Sequence, residues 1–320
     1  MMGKIITFEK VFEEWLVKRS MELKQSSLVK YRNIVRNYLI GRYGKTDIRE
    51  ITYDEVNRYI IKLRQNGGRR KGGLADTTLR TIVTVIRSIF KYSDRHMKLE
   101  VADLSELKIA CDMKILRILS TKEQIRLEEE CRRHMTLKDV GVILAMYAGL
   151  RIGELCALRW RDIRLDEGII NISRTVYRLQ SVDASGKKTK VVVEKPKSKK
   201  SIREIPIPEH LKDLLKTWKG QDEEYLLSGS EKIVEPRGMQ RYIKKLTEKL
   251  EMEKVTCHTL RHTFATRCVE FGVDIKTLSE ILGHSSVQIT MDRYVHPTME
   301  MKKRSMEKMV EGIYGKIKVS

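Results

Sequence analysis

No stretch of the 320-residue chain approaches the ~20 consecutive apolar residues of a membrane-spanning helix. Its first residues, MMGKIITFEKVFEEW, lack the apolar run of a secretory signal, and acidic residues arrive by Glu9. Cysteine is sparse. Cys111, Cys131, Cys156, Cys257 and Cys268 are odd in number and form no C-x-x-C pair, which reads as free thiols in a reducing cytoplasm. Internal repeats and low-complexity tracts are absent. These absences argue against an apolar membrane-spanning helix and against a disulfide-stapled fold.

Negative charge is also in deficit. The chain carries 43 acidic against 64 basic residues, a net charge of +21. A compact body this positive repels itself, so an anionic partner is implied. Nucleic acid is the first candidate and an anionic membrane surface the second. At 41% hydrophobic the chain can bury real cores and does not have a disordered composition. Its length suggests about two domains.

The opening segment reads as helical. Thr7 is placed to cap FEKVFEEWLVKRSMEL, Ser27 to cap LVKYRNIVRNYL, and Asp76 to cap TTLRTIVTVIRSIFKYSDRHM. Thr52 and Glu55 form a capping-box pattern. In the last of these helices Leu79, Ile82, Val83, Ile86, Ile89 and Phe90 fall on one stripe of helical period. Between the third and fourth helices lies NGGRRKGGLAD, a basic loop whose glycines let the backbone of Arg69, Arg70 and Lys71 approach phosphate. Residues 1–98 are therefore expected to form a helical bundle and 99–118 a connection. Residues 119–320 are expected to form a larger α+β domain, opened by a second capping box at Ser120 and Glu123. There helices are expected at 121–134, 138–149 and 152–158. Strand-like GIINISRTVYRL, a polar turn DASGKK, TKVVVE and IREIPI follow, with helices from Pro208 onward. The fold class is thus mainly α with a small antiparallel sheet.

Four features of the second half are polar beyond what packing requires. Arg151 follows a glycine-leucine turn, with Glu154 one turn later to hold it, and its guanidinium can fork onto two phosphate oxygens. Lys197, Lys199 and Lys200 lie in or beside a hairpin just before a strand. His258 and Arg261 share a helix face at i and i+3. In LGHSSVQITMDRYVH, Gly283 ends a helix, His284 sits at the turn, Ser286 caps the next helix, and Tyr294 and His296 follow. His262 at i+4 from His258, near Cys257 and Cys268, invites a metal reading. The spacing is not that of a zinc finger and no acidic ligand stands near, so no metal or other cofactor is expected.

Two arginines, a lysine, two histidines and a tyrosine suit metal-independent nucleophilic attack on a phosphodiester. The arginines and His284 stabilise charge on the non-bridging oxygens. A phenol of ordinary pKa ~10 is a poor nucleophile until its proton is removed, which a histidine can do. A lysine can protonate the leaving 5′-oxygen. A covalent phosphotyrosine conserves the energy of the broken bond, so re-ligation needs no ATP.

The set Arg151-x-x-Glu154, Lys197 before IREIPI, His258-x-x-Arg261, Leu282-Gly283-His284 and Tyr294 resembles that of the tyrosine recombinase (phage integrase) family, and the likeness spans nearly the whole chain. The resemblance implies a SAM-like helical core-binding domain and a catalytic domain that clamp double-stranded DNA. It implies that Arg151, Arg261 and His284 bind the scissile phosphate and that His258 assists as acid or base. Lys197 becomes the general acid, Tyr294 the nucleophile, and Glu154 a support at the edge. Arg69, Arg70, Lys71, Lys199 and Lys200 become DNA contacts. A tetramer in the synapse is implied too, with an accessory directionality factor in some members. Many relatives begin with an arm-binding domain; this chain starts directly at the core-binding helices, so no arm-site binding is expected.

Two other readings share these residues: a type IB-like topoisomerase, and a non-catalytic DNA-binding protein on the same fold. The tail separates the first from strand exchange. Met306, Met309, Val310, Ile313 and Ile317 form an apolar stripe after Tyr294, as docking on a neighbouring protomer requires. Against the second, pure binding does not require Tyr294.

Overall fold

The structure is a computed structural model that describes residues 5–68, 72–110, 116–180, 189–196 and 199–295, with positions 299, 303, 306, 307, 309 and 310 of the tail. The chain divides into two compact units, Met1–Lys114 and Ile115–Ser320.

The first unit is helical. Helix α1 (Phe8–Ser20) starts where the Thr7 hydroxyl accepts the Lys10 N–H. Helix α2 (Gln25–Ile34) runs through a π-helical turn, Val35–Leu39, into α3 (Ile40–Tyr43). Helix α4 (Tyr53–Asn66) opens on the expected Thr52/Glu55 capping box, and α5 (Asp76–Met97) buries its apolar stripe against Phe8, Phe12 and Trp15. Two expected caps differ. Ser27 lies inside α2, because its backbone N–H already bonds to the Lys24 carbonyl. Asp76 is the first residue of α5 rather than its cap; its carboxylate pairs with Arg64 at 2.7 Å and favours the positive end of the helix from within the first turn. Leu104 and Leu107, expected in the connection, are buried in this core.

The second unit begins with α6 (Thr121–Arg133), set by the Ser120/Glu123 capping box, followed by α7 (Leu137–Ala148) and α8 (Ile152–Ala157). Among the described residues five short strands follow: β1 (Ile163–Arg164), β2 (Ile169–Ile172), β3 (Thr175–Gln180), β4 (Thr189–Glu194) and β5 (Arg203–Pro206). They make two antiparallel sheets, β1-β2-β5 and the β3-β4 hairpin. The apolar run expected as continuous strand is broken at Ser173–Arg174, where the Arg174 guanidinium turns to Asp162 at 2.5 Å. In the three-stranded sheet Ile170 stands opposite Ile205, and both are buried. The helices α9 (Glu209–Trp218), α10 (Pro236–Lys249), α11 (Cys257–Glu270), α12 (Ile275–Leu282) and α13 (Val287–Tyr294) complete the unit. A large core joins α7, α8, the sheet and the start of α11, while Ala265, Leu278, Leu282 and Tyr294 form a smaller cluster under α11–α13. No described helix is long and apolar enough to cross a membrane.

Candidate active site

The C-terminus of α12 organises the site. A helix end leaves its last carbonyls without intrahelical donors. Here Gly283, at φ +62°, closes a Schellman turn in which the His284 N–H returns to the Ser279 carbonyl and the Gly283 N–H to that of Glu280. The next three carbonyls each take a different arginine. Arg203 Nε donates to Ile281 O at 2.5 Å, Arg261 Nη2 to Leu282 O at 2.7 Å and Arg151 Nη2 to Gly283 O at 2.8 Å. Cations also suit the negative end of a helix dipole. A backbone feature thus gathers side chains from β5, α11 and the entry to α8.

Each arginine is held a second time. Arg261, buried near the start of α11, also donates to the Gly149 carbonyl at 2.7 Å. Gly149, at φ +60°, ends α7, and a Cβ there would stand 2.5 Å from the Phe264 ring. Arg151, one position before α8, pairs with Glu154 at 2.6 Å and is still 33% exposed, so its guanidinium faces an open side. Glu154 is buried and also takes both ends of the Arg203 fork, at 3.1 and 3.0 Å. Burial works to raise the Glu154 pKa, but the Arg203 hydrogen bonds and charge, then Arg151, hold it below the ordinary carboxylate range.

His284 and Tyr294 face each other with nearly parallel rings, 4° between planes and 6.4 Å between centroids. His284 Nδ1 lies 2.8 Å from the buried Thr290 hydroxyl, and the Tyr294 hydroxyl lies 2.7 Å from His262 Nδ1. Burial, then the nearby arginines Arg261, Arg151, Arg293 and Arg203, lower the His284 pKa to about 3. Burial, then His258, Arg293 and Arg261, lower that of His262 to about 4. Burial raises the Tyr294 pKa against the opposing pull of Arg261, Arg293 and Arg151. The Arg261 pKa falls through burial and the Arg151 charge, yet a guanidinium stays cationic at neutral pH.

Arg151, Glu154, Arg261, His284 and Tyr294 are therefore together. His258 keeps an exposed side at the start of α11, its ring 6.2 Å from that of His262, with its pKa lowered by partial desolvation of the ring and then by Arg261. Lys200 is exposed in the short turn before β5. Lys197, the Lys199 side chain, His296, Cys111 and the loop Arg69–Lys71 lie outside the described residues. The other cysteines are free, and the Cys257 thiol donates to the Leu150 carbonyl. Ser286 is at the N-cap position of α13 but its side chain makes no capping bond. Sequence reasoning missed two residues. Arg203 reads as one more charge in a basic stretch, and His262 as a possible ligand; only burial and partners reveal what they hold.

Comparison with known proteins bears on this geometry. Residues 114–301 match the phage integrase family, and residues 7–64 match the N-terminal SAM-like domain of phage integrases. A tyrosine recombinase XerC-like protein of Caldanaerobacter subterraneus subsp. tengcongensis is 28% identical over 94% of this chain and 82% of its own. Tyrosine recombinase XerA of Thermococcus kodakarensis is 28% identical over 95% of this chain and 98% of its own. Among solved structures, the Tn1549 transposon integrase in complex with transposon right end DNA superposes with a TM-score of 0.78 at 18% identity, over 95% of this chain and 100% of that one, a likeness of fold. With more than half its length matched, the chain belongs to the phage integrase family, the tyrosine recombinases, and is an enzyme that breaks and rejoins DNA at specific sites.

Proposed function

We propose that the Tyr294 phenolic oxygen attacks a scissile phosphodiester of duplex DNA. The Oη–P bond forms, the P–O5′ bond breaks, and a 3′-phosphotyrosyl ester remains until a 5′-hydroxyl from a second strand reverses the step. The observation that carries this reading is the convergence of Arg151, Arg261 and His284 on one helix end beside the Tyr294 ring. Fixed donors there stabilise charge developing on the non-bridging oxygens. Glu154 supports Arg151 from the buried side. His258 assists proton transfer from the exposed start of α11. Lys197 is assigned the proton for the leaving 5′-oxygen, on its place ahead of β5 and on family resemblance.

The remaining assignments rest on charge and resemblance. Residues 1–98 act as the core-binding domain, 99–118 as the connection and 119–320 as the catalytic domain. Arg69, Arg70, Lys71, Lys199 and Lys200 contact the DNA backbone, as the net charge of +21 supports. The protein works in the cytoplasm as a mobile-element integrase, assembled as a tetramer on two sites, with a directionality factor as an accessory. Met306, Met309 and Val310 are exposed, which supports docking of the tail on a neighbouring copy. Tyr294→Phe should bind DNA normally and form no covalent adduct. A protein–DNA band from that variant that survives SDS would overturn the reading.

A further inference from the structure

Attack by Tyr294 requires a group that takes the phenol proton. Among the described hydrogen bonds neither His258 nor His284 reaches that oxygen: His284 Nδ1 is engaged by Thr290, and His258 is exposed. The groups that meet it are His262 Nδ1, at 2.7 Å, and the Arg293 guanidinium, which is a donor and cannot take the proton. Resting on the assignment of Tyr294 as nucleophile, we propose that His262 is the catalytic base: Nδ1 takes the phenol proton as Oη bonds to phosphorus, and returns it when Oη leaves on re-ligation. The proton count closes. The O–H bond breaks toward Nδ1, Oη–P forms, P–O5′ breaks, and the 5′-oxygen is protonated by a separate acid, for which Lys197 is proposed.

Geometry and protonation agree on the direction of this bond. The distance is within the reach a general base needs. Both residues are buried, so bulk water does not compete for the phenol. Burial with the neighbouring cations keeps His262 unprotonated at neutral pH, and burial keeps Tyr294 protonated. The phenol therefore donates and Nδ1 accepts, which places the imidazole hydrogen on Nε2. The His284 ring lies parallel to that of the phenol.

The same surroundings disfavour protonation of His262 before DNA is bound. An imidazolium at His262 is opposed by Arg261 and by His258 if protonated, on its own helix, and by Arg293 on α13, while Arg151, just before α8, acts on the adjoining phenol. A phosphate seated between Arg151 and Arg261 brings the negative charge that offsets them. Substrate thereby raises the basicity of His262 at the moment Tyr294 must lose its proton.

His262→Asn keeps a hydrogen-bond acceptor that cannot be protonated, and His262→Phe removes it. Both should bind DNA like the parent and form the adduct about 10²–10⁴-fold more slowly. Their rates should climb about tenfold per pH unit between about pH 6 and pH 9, as hydroxide replaces the lost base, while the parent stays flat. A role in packing alone would lower the rate by one factor at every pH. On DNA with a bridging 5′-sulfur, whose thiolate leaves without a proton, His262→Phe should remain slow. Parental rates for His262→Asn, or recovery of His262→Phe on the sulfur substrate, would overturn the proposal. Should both variants misfold, ¹⁵N spectra of the histidine-labelled parent decide, since a proton on His262 Nδ1 at neutral pH is incompatible with it. Adduct formation by Tyr294→Phe would instead sink the nucleophile assignment, so the two failures are distinct.

Discussion

Removing Arg203 tests whether the site is held together from behind. The Arg203 side chain is 6% exposed and that of Glu154 2%, and the pair is joined at both ends of the fork. Arg203→Ala leaves the Glu154 carboxylate buried with Arg151 as its remaining charged partner, and removes the donor from the Ile281 carbonyl. Breaking one side of a buried pair costs about 3–5 kcal/mol, and Arg151 keeps the loss at the lower end, about 3 kcal/mol. For a unit of this size that is roughly 6–12 °C in Tm, read on the transition of the catalytic unit. Arg203→Lys keeps the charge but cannot reproduce the fork, and should lose about 1–2 kcal/mol. Glu154→Gln combined with Arg203→Met removes both charges, so the double variant should be more stable than the sum of the single losses predicts. Adduct formation should fall in Arg203→Ala at temperatures where it is still folded, because Arg151 and the Gly283–His284 turn lose their common brace. A Tm within about 2 °C of the parent, with parental cleavage, would refute this account.

Acid should destabilise the fold through His262 and His284. Their folded pKa values, about 4 and about 3, lie below the unfolded 6.5, so the unfolded chain binds more protons as pH falls. Stability is complete above about pH 6.5 and is lost progressively toward pH 4, on the order of 3 kcal/mol for His262, and His262→Asn should flatten a plot of denaturation midpoint against pH over that window. Gly283→Ala forces a side chain to φ +62° with its Cβ 3.0 Å from Arg203 Cδ; it should cost about 1–2 kcal/mol in a thermal melt and slow adduct formation. Truncation of residues 299–320 should leave the melt and half-site adduct formation unchanged and abolish two-site complexes in native gels; a lowered Tm would show instead that the tail packs on its own domain.

The sequence by itself determined whatever depends on neighbours within a turn or two. The capping boxes at Thr52/Glu55 and Ser120/Glu123, the stripe on α5 and the glycine stop at Gly283 are local, and each stands where its residues predict. The identities and spacings of Arg151, Arg261, His284 and Tyr294 were equally legible, because reactive groups are recognisable by type. Local signals failed at two places that also carry a partner distant in sequence: Asp76, the first residue of α5, pairs with Arg64, and Arg174, between β2 and β3, pairs with Asp162. Only the tertiary structure decided which groups meet. Arg151 reaches Gly283 across 132 residues, Arg261 reaches Gly149 across 112, and His262 meets Tyr294 across 32. Periodicity tells which face of a helix is buried but not what lies against it. The same His262 that four-residue spacing paired with His258 is turned by burial toward the phenol. The orphan carbonyls at the end of α12 and at Gly283 have no side chain to announce them in a sequence, yet they collect the three arginines, since an unpaired carbonyl away from water is costly until it meets a donor.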